Sequence, residues 1–220
     1  GEFDKALSEV SKLEAANPDL QQAWWRTAAL LDLARRKSAP REKRLEALEK
    51  ARSSATDIDG WKQVEALVSI ADTFRELELK DRAVDSLGAA QKLVTALPDI
   101  ETAKPALLAN LARVYSKLGD NDRGAQLLTQ AEPLVQHAMD LSRAAVYANI
   151  GNSWQQLGRP ADALRLYDQA LNAAESLVNA RPRALSIVQV CRSLGRSGLE
   201  MSPALRARLD KLYSGLKAPW

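Results

Sequence analysis

Apolar residues recur along the chain at intervals of three and four positions, the spacing of one face of an α-helix. Between residues 147 and 171, Tyr147, Ile150 and Trp154 share one such face, and Tyr167 and Ala170 share a face in the segment that follows. Runs of Val, Ile and Thr that would indicate β-strands are absent, and Ala and Leu, which favour helices, dominate. The pattern therefore predicts an all-α protein.

A leucine followed by a polar or glycine-containing turn recurs four times, in the segments 77–81, 118–122, 157–162 and 194–198. The leucines are separated by 41, 39 and 37 residues. A repeat of this length in a helical sequence indicates stacked helix–turn–helix units.

The turns between the predicted helices contain residues suited to helix ends. Three glycines are expected to take positive φ at helix C-termini: Gly119, Gly158 and Gly195. Pro160 and Pro203 suit the first position of a helix, where the missing N–H has no cost. Asp81 and Asp120 are expected to cap the helices that follow them.

Residue size along the stretch 147–171 indicates how two helices meet. Gly151 and Ala163 are small at the point where the helices must approach closely. Trp154 and Tyr167 are large and are expected to fill the space around that contact. This alternation of small and large residues is typical of packing between neighbouring helices.

The stretch resembles the tetratricopeptide repeat, whose pattern is matched by Tyr147, Ile150–Gly151, Trp154, Gly158, Ala163, Tyr167 and Ala170. Glu175 stands where that family usually has a closing proline. The segments 67–90 and 108–131 follow the same spacing more loosely, and 184–195 keeps only the first helix. The resemblance implies a right-handed α-solenoid of stacked antiparallel helical hairpins with a period of about 37–41 residues.

We predict a single superhelical domain over residues 1–220. Its segments are a half repeat, 4–19, and five units, 21–56, 62–97, 104–139, 143–179 and 182–216. The first three residues are expected to be a cloning remnant, and the chain is expected to begin partway through a repeat and to be the C-terminal part of a larger protein.

The last segment, 202–216, is predicted to form a capping helix with one buried and one solvated face. Its buried stripe is Leu205, Leu209, Leu212 and Leu216. Arg206, Arg208, Asp210 and Lys211 are expected to lie on the solvated face.

Composition adds limits on function. The chain is 46% hydrophobic and 27% charged, with a net charge of +3, which is too small to indicate a nucleic-acid or membrane binder. No apolar run reaches the length of a membrane span. The compartment stays open between cytoplasm and cell envelope, since one cysteine permits no internal disulfide.

Catalysis is not favoured by the residues present. His137, the single histidine, is expected at the surface near a helix end. Cys191, the single cysteine, occupies an aromatic position of its repeat and is predicted to be buried. There is no glycine-rich phosphate loop, so we predict a non-catalytic protein that needs no cofactor or metal.

The resemblance implies a concave groove lined by the first helix of each repeat. Trp24 takes the core position of its repeat, so Trp25 is expected to point into the groove. Asn110 and Asn149 occupy equivalent positions, and their amides suit the backbone of an extended peptide. The predicted contact residues are Trp25, Arg26, Asn110, Arg113, Lys117, Asn149, Asn152, Gln155, Gln189 and Arg192.

Details of this groove support a peptide ligand. Four alanines are expected to keep its floor low: Ala106, Ala109, Ala145 and Ala148. Arg113, Lys117 and Arg192 add positive charge that suits carboxylates. The predicted function is a protein–protein interaction module that binds a peptide segment or partner protein for scaffolding or assembly.

Other interpretations remain open. The chain could be the peptide- or ligand-sensing domain of a larger regulatory protein, or a structural protein that self-associates through its end repeats. The segment 35–52, with eight basic and three acidic residues, is a weaker alternative site for nucleic acid or anionic lipid.

Overall fold

The computed structural model describes residues 1–12 and 22–215. These ranges contain helices and no strand, so the predicted all-α class is confirmed. The helices are α1 (Glu2–Lys12), α2 (Gln22–Arg35), α3 (Arg41–Ser54), α4 (Gly60–Glu76), α5 (Lys80–Ala96), α6 (Lys104–Lys117), α7 (Asn121–Leu134), α8 (Asp140–Gln156), α9 (Pro160–Glu175), α10 (Ala180–Ser197) and α11 (Pro203–Gly215). Single 3-10 turns, Ala55–Asp57 and Val135–His137, follow α3 and α7.

The chain divides into two compact units, Gly1–Pro98 and Asp99–Trp220. The single domain and its segment boundaries stay predictions. The predicted half repeat 4–19 lies partly outside the described residues, and Leu216 lies wholly outside them.

The first unit contains two helical hairpins. Helix α2 packs along α3, and α4 packs along α5. The connections within each pair are short, so the paired helices run antiparallel. Helices α2 and α4 also contact each other, and α1 packs against α2.

The second unit contains two further hairpins, α6 with α7 and α8 with α9. Helix α8 contacts both α6 and α10, so the first helices of successive repeats lie side by side. Helix α10 also packs against α9. The prediction that helices pack in adjacent pairs is confirmed.

Helices of the second unit approach each other closely at Gly151. A Cβ atom on this glycine would lie 3.2 Å from the carbonyl oxygen of Ala163 and 3.2 Å from Cβ of Leu166. Gly124 makes a similar approach, at 3.2 Å from the carbonyl oxygen of Ala112. The predicted close contact between Gly151 and Ala163 is therefore present, because a side chain at either glycine would press on backbone.

The two large residues beside this contact are buried and hydrogen-bonded. Trp154 is 4% exposed, and its Nε1 donates to Oε1 of Glu132 at 2.7 Å. Tyr167 is fully buried, and its hydroxyl lies 2.9 Å from Oγ of Ser193. Burial raises the pKa of Tyr167, so the phenol stays neutral in the core.

The turns agree with the sequence in part. Gly119 and Gly158 have positive φ, at 91° and 71°, as predicted. The expectation for Gly195 is wrong, because α10 continues through it to Ser197 and Gly198 takes the left-handed conformation instead. The sequence predicts that α10 ends at Gly195, but a single glycine within a helix is tolerated and does not terminate it.

The capping predictions also divide. The side chain of Asp120 accepts a hydrogen bond from the backbone N–H of Arg123, which confirms it as a cap. Asp81 lies inside the first turn of α5, where the preceding N-cap residue is Leu79, so its predicted capping role is wrong. Pro160 and Pro203 are the first residues of α9 and α11, as predicted.

Helix α11 is held by a charged contact that its sequence did not indicate. Leu205 is buried, whereas Leu209 and Leu212 are half-buried. Arg208, predicted to face solvent, pairs with Asp168 and Glu175 and donates to the side chain of Asn172. That prediction is wrong because a long guanidinium side chain reaches back across its own helix to α9.

Replacing Gly151 by valine should lower the free energy of unfolding by about 1–3 kcal/mol, because the added atoms overpack the α8–α9 contact. Urea unfolding followed by circular dichroism measures the change. Gly195→Val is the matched control, since a Cβ on that helical glycine has no neighbour within 4 Å. Equal destabilisation of both variants would show that the close approach is not what Gly151 provides.

Replacing Arg208 by methionine should loosen α11, since partly exposed ion pairs contribute about 0.2–1 kcal/mol each. Amide hydrogen exchange in residues 203–215 should accelerate several-fold, up to about tenfold. Arg206→Met removes an exposed charge from the same helix and should leave exchange unchanged. Unaltered exchange in Arg208→Met would contradict the anchoring role.

Candidate functional site

The two predicted amides of the second unit are joined directly. Asn110 on α6 and Asn149 on α8 are half-buried, and Nδ2 of Asn149 donates to Oδ1 of Asn110 at 3.3 Å. The bond uses one donor and one acceptor of the pair. Among the described residues, Nδ2 of Asn110 and Oδ1 of Asn149 have no recorded bond, so the pair retains both functions at one place.

Two serines that sequence reasoning missed extend this polar contact between first helices. Oγ of Ser153 donates to the carbonyl of Asn149 at 3.0 Å and lies 3.5 Å from that of Ala109. Oγ of Ser193 donates to the carbonyl of Ala148 at 3.3 Å. Their one sequence signal is a serine at a core-facing position in the middle of a helix, where it must find a backbone partner.

The alanines do not form a uniform floor. Ala109 and Ala148 are buried, at 0% and 2% exposure, and lie under the helix–helix contact. The low groove floor expected from the four alanines stays a prediction. Ala106 and Ala145 are partly exposed and remain available to a ligand.

The other predicted residues of this unit lie on the same three helices at different depths. Asn152 and Gln155 on α8 and Arg113 on α6 are half-buried; Lys117 on α6 and both Gln189 and Arg192 on α10 are exposed. Oε1 of Gln155 is buried with no hydrogen-bond partner among the described residues. We call the set of predicted contact residues on these three helices the amide face: Asn110, Asn149, Asn152, Gln155, Gln189 and Arg192.

In the first unit, Trp25 is 62% exposed, as expected for a side chain turned away from the core. Its ring meets that of Trp24 edge-on, with centroids 4.6 Å apart. Trp24 itself is only half-buried, so the core position predicted for it is incompletely covered.

Arg26 does not belong to an accessible surface. It is 9% exposed, its Nε donates to Oγ of Ser54 at 2.7 Å, and its guanidinium pairs with Asp57 at 3.1 Å. Ser54 is the last residue of α3, and Asp57 lies in the 3-10 turn that follows it. Arg26 on α2 therefore stabilises the α2–α3 hairpin. The predicted role of Arg26 in ligand contact is corrected, because its guanidinium already bonds groups of its own repeat.

Cys191 is exposed, so the prediction of a buried cysteine is wrong. It borders an apolar cavity of about 420 Å³ with Leu194, Leu199 and Met201. In the other repeats this position carries a ring or a larger aliphatic, and a cysteine is too small to fill the gap. Desolvation by these neighbours raises the pKa of the thiol, which keeps it protonated and poorly nucleophilic at neutral pH.

The basic segment 35–52 is largely engaged with its own unit. Six of its eight cations have a hydrogen bond or ion pair: Arg35, Arg41, Lys43, Arg44, Lys50 and Arg52. Arg41 and Arg44 donate to the carbonyls of Leu77 and Ala34. These cations close the repeat, which weakens the segment as a nucleic-acid site.

Within the described ranges, 1–12 and 22–215, no cluster of His, Cys, Asp and Glu side chains is placed to hold a metal ion. In the same ranges, no helix has the length and hydropathy needed to cross a membrane. His137 is half-buried in the 3-10 turn after α7, within 3.4 Å of the Gln136 amide.

Residues 143–183 match the family model of the tetratricopeptide repeat; they take in most of α8, all of α9 and the first residues of α10. The comparison with curated proteins found no significant match.

Solved structures share the fold at low identity. Ton1535 from Thermococcus onnurineus is 19% identical with a TM-score of 0.57; the match covers 84% of this chain and 52% of that one. BtubC from P. vanneervenii is 16% identical, with a TM-score of 0.60 and coverage of 100% and 91%. A kinesin light chain-like protein from Podosopora anserina, with nearly identical TPR-like repeats, is 18% identical, with a TM-score of 0.54 and coverage of 88% and 94%.

At such low sequence identities the solved structures support the fold alone. The chain spans only about half of Ton1535. The matched repeat, the paired helices and these folds agree with one another. The chain is a TPR-like repeat protein.

Proposed function

We propose that this protein is a non-catalytic interaction module that binds a peptide segment of a partner protein on the amide face. TPR repeats in general are protein-interaction modules, and the repeat with the family match, residues 143–183, supplies half of the face. The observation that carries the proposal is the Asn110–Asn149 pair.

The pair suits the backbone of an extended peptide. Its remaining N–H and carbonyl groups can bond one peptide C=O and one peptide N–H, which an extended strand presents in alternation. Ala106 and Ala145 beside it are small and partly exposed, so a main chain can approach. A single asparagine would offer no such joint donor and acceptor fixed between two helices.

Charge at the margin of the face favours an acidic segment. Arg192 on α10 is exposed and Arg113 on α6 is half-buried. Guanidinium groups form charge-assisted bonds to carboxylates, which are roughly twice as strong as neutral ones. Partner side chains next to the bound backbone are therefore expected to include Asp or Glu. No bond of the peptide is broken or made, so the proposed role needs no cofactor.

A photoreactive benzoylphenylalanine placed at Asn152 should cross-link a partner protein in lysate of the source organism. The same residue placed at Gln130, an exposed position on the second helix α7, is the matched control and should capture nothing comparable. Mass spectrometry of the cross-linked species identifies the partner and the segment attached.

The folded state of both variants is checked by circular dichroism before irradiation. Identical products from positions 152 and 130 would contradict binding on the amide face. A second check is the cross-link from Asn152 in the presence of Arg192→Glu, which should weaken capture of an acidic segment about tenfold or more.

A further inference from the structure

A separate cleft lies in the first unit between the neighbouring first helices α2 and α4. Its volume is about 220 Å³, and both helices contribute to its walls. Trp24 and Leu31 supply apolar surface, and Asp32, Arg35 and Glu65 supply charge. None of these residues belongs to the contact set that the sequence predicted, or to the amide face.

Thr27 in the lining of this cleft has an unused hydroxyl group. The residue is 1% exposed, and its Oγ1 is buried without a hydrogen-bond partner among the described residues. A helical threonine commonly bonds the carbonyl four positions earlier. Here that carbonyl, on Ala23, accepts from Oγ of Ser54 at 3.2 Å instead.

The hydroxyl is peculiar to this repeat. The equivalent positions of the other first helices carry buried aliphatic side chains: Ile70, Leu111, Ile150 and Ile187. An aliphatic residue at position 27 would complete the core, whereas a buried, unpaired hydroxyl destabilises it. A polar atom retained at such a position points to a bonding partner that the free protein lacks.

The lining of the cleft carries two carboxylates and one guanidinium, so its net charge is −1. Asp32 on α2 and Glu65 on α4 are exposed, and neither has a hydrogen bond or ion pair among the described residues. Arg35 is already engaged: its Nε donates to Oγ1 of Thr73 at 3.2 Å and its terminal nitrogen to the carbonyl of Ser69 at 3.4 Å. Lys62, which lies 5.7 Å from the Trp24 centroid, is outside the lining.

We propose that the α2–α4 cleft binds the side chain of a lysine in the partner protein. An ammonium group has three N–H donors, and the cleft offers three acceptors, namely the carboxylates of Asp32 and Glu65 and the hydroxyl of Thr27. The aliphatic stem packs on the apolar surface of Leu31 and Trp24. Because Oγ1 of Thr27 is covered in the free protein, the cleft walls shift when the lysine enters.

This inference rests on the proposed function, since the lysine belongs to a partner segment. Random 12-residue peptides on phage are selected on the full chain, on Asp32→Asn/Glu65→Gln, and on the control Glu42→Gln/Asp85→Asn. The control makes the same charge change at exposed positions of α3 and α5. Lysine should be enriched with the native chain and the control and should lose its enrichment with the cleft variant.

A selected peptide is then measured by fluorescence anisotropy. Exchange of its lysine for norleucine, or use of the cleft variant, should raise Kd about tenfold or more, the usual effect of removing bonds to a charged group. Lysine-rich peptides that bind all three chains equally, or selection without lysine enrichment, would overturn the cleft proposal. Cross-linking from Asn152 tests the proposed function separately, because it uses a different unit of the chain.

Thr27→Val should raise the melting temperature and yet weaken the selected peptide several-fold, because the variant removes an unpaired hydroxyl that the ligand needs. Thr27→Ser keeps the hydroxyl and should keep the native affinity. A purely structural threonine would give the opposite result for valine: unchanged affinity, whatever the change in melting temperature. That outcome would remove Thr27 from the site.

Discussion

The contact on which the second unit depends is the approach of one helix backbone to another at a residue without a side chain. At Gly151 and Gly124 the partner backbone is so near that a Cβ would lie 3.2 Å from a carbonyl oxygen. This approach fixes the spacing of the α8–α9 and α6–α7 hairpins and leaves a gap beside it. Large rings fill that gap: Trp154 in one hairpin and Tyr115 in the other, each nearly or fully buried.

The rings are in turn covered on their outer side by cations. The guanidinium of Arg159 lies 5.0 Å from the Trp154 centroid, and that of Arg123 lies 5.0 Å from the Tyr115 centroid. Arg82 has the same relation to Phe74 in the first unit, at 6.0 Å. Three of the four hairpins of the described residues therefore have a cation on the face of a buried ring. On α10, Cys191 stands at the position of the ring and borders an apolar cavity. The rings of the other hairpins fill the corresponding space.

Periodicity predicts which face of a helix is buried, and so the all-α class, the paired helices and the Gly151 contact could be read from the sequence. It fails for long side chains, because a guanidinium about 6–7 Å from its backbone can bond groups on a neighbouring helix whatever face it starts from. Arg26 was assigned to the groove and Arg208 to solvent, and both are anchored to neighbouring groups. The cleft was missed for another reason: Thr27 is a polar residue at an otherwise apolar position of the pattern. Only the fold reveals that its hydroxyl has no hydrogen-bond partner among the described residues.

The repeats therefore differ most at the positions where a first helix carries a buried or partly buried polar residue. A hairpin stack gains stability when each first helix repeats the same aliphatic position, and four repeats obey this with Ile70, Leu111, Ile150 and Ile187. On the amide face the polar residues Asn110 and Asn149 lie outside this aliphatic position. Their mutual hydrogen bond offsets much of the cost of burying them partly. The first repeat departs from the aliphatic pattern in the core, where the Thr27 hydroxyl has no hydrogen bond within the described part of the chain. Buried unpaired hydroxyls are rare in native proteins. The Thr27 hydroxyl is therefore stronger support for a ligand in the α2–α4 cleft than an exposed charge would be. A charge on a solvated helix face needs no partner, whereas an unpaired buried hydroxyl destabilises the folded protein unless a ligand bonds it.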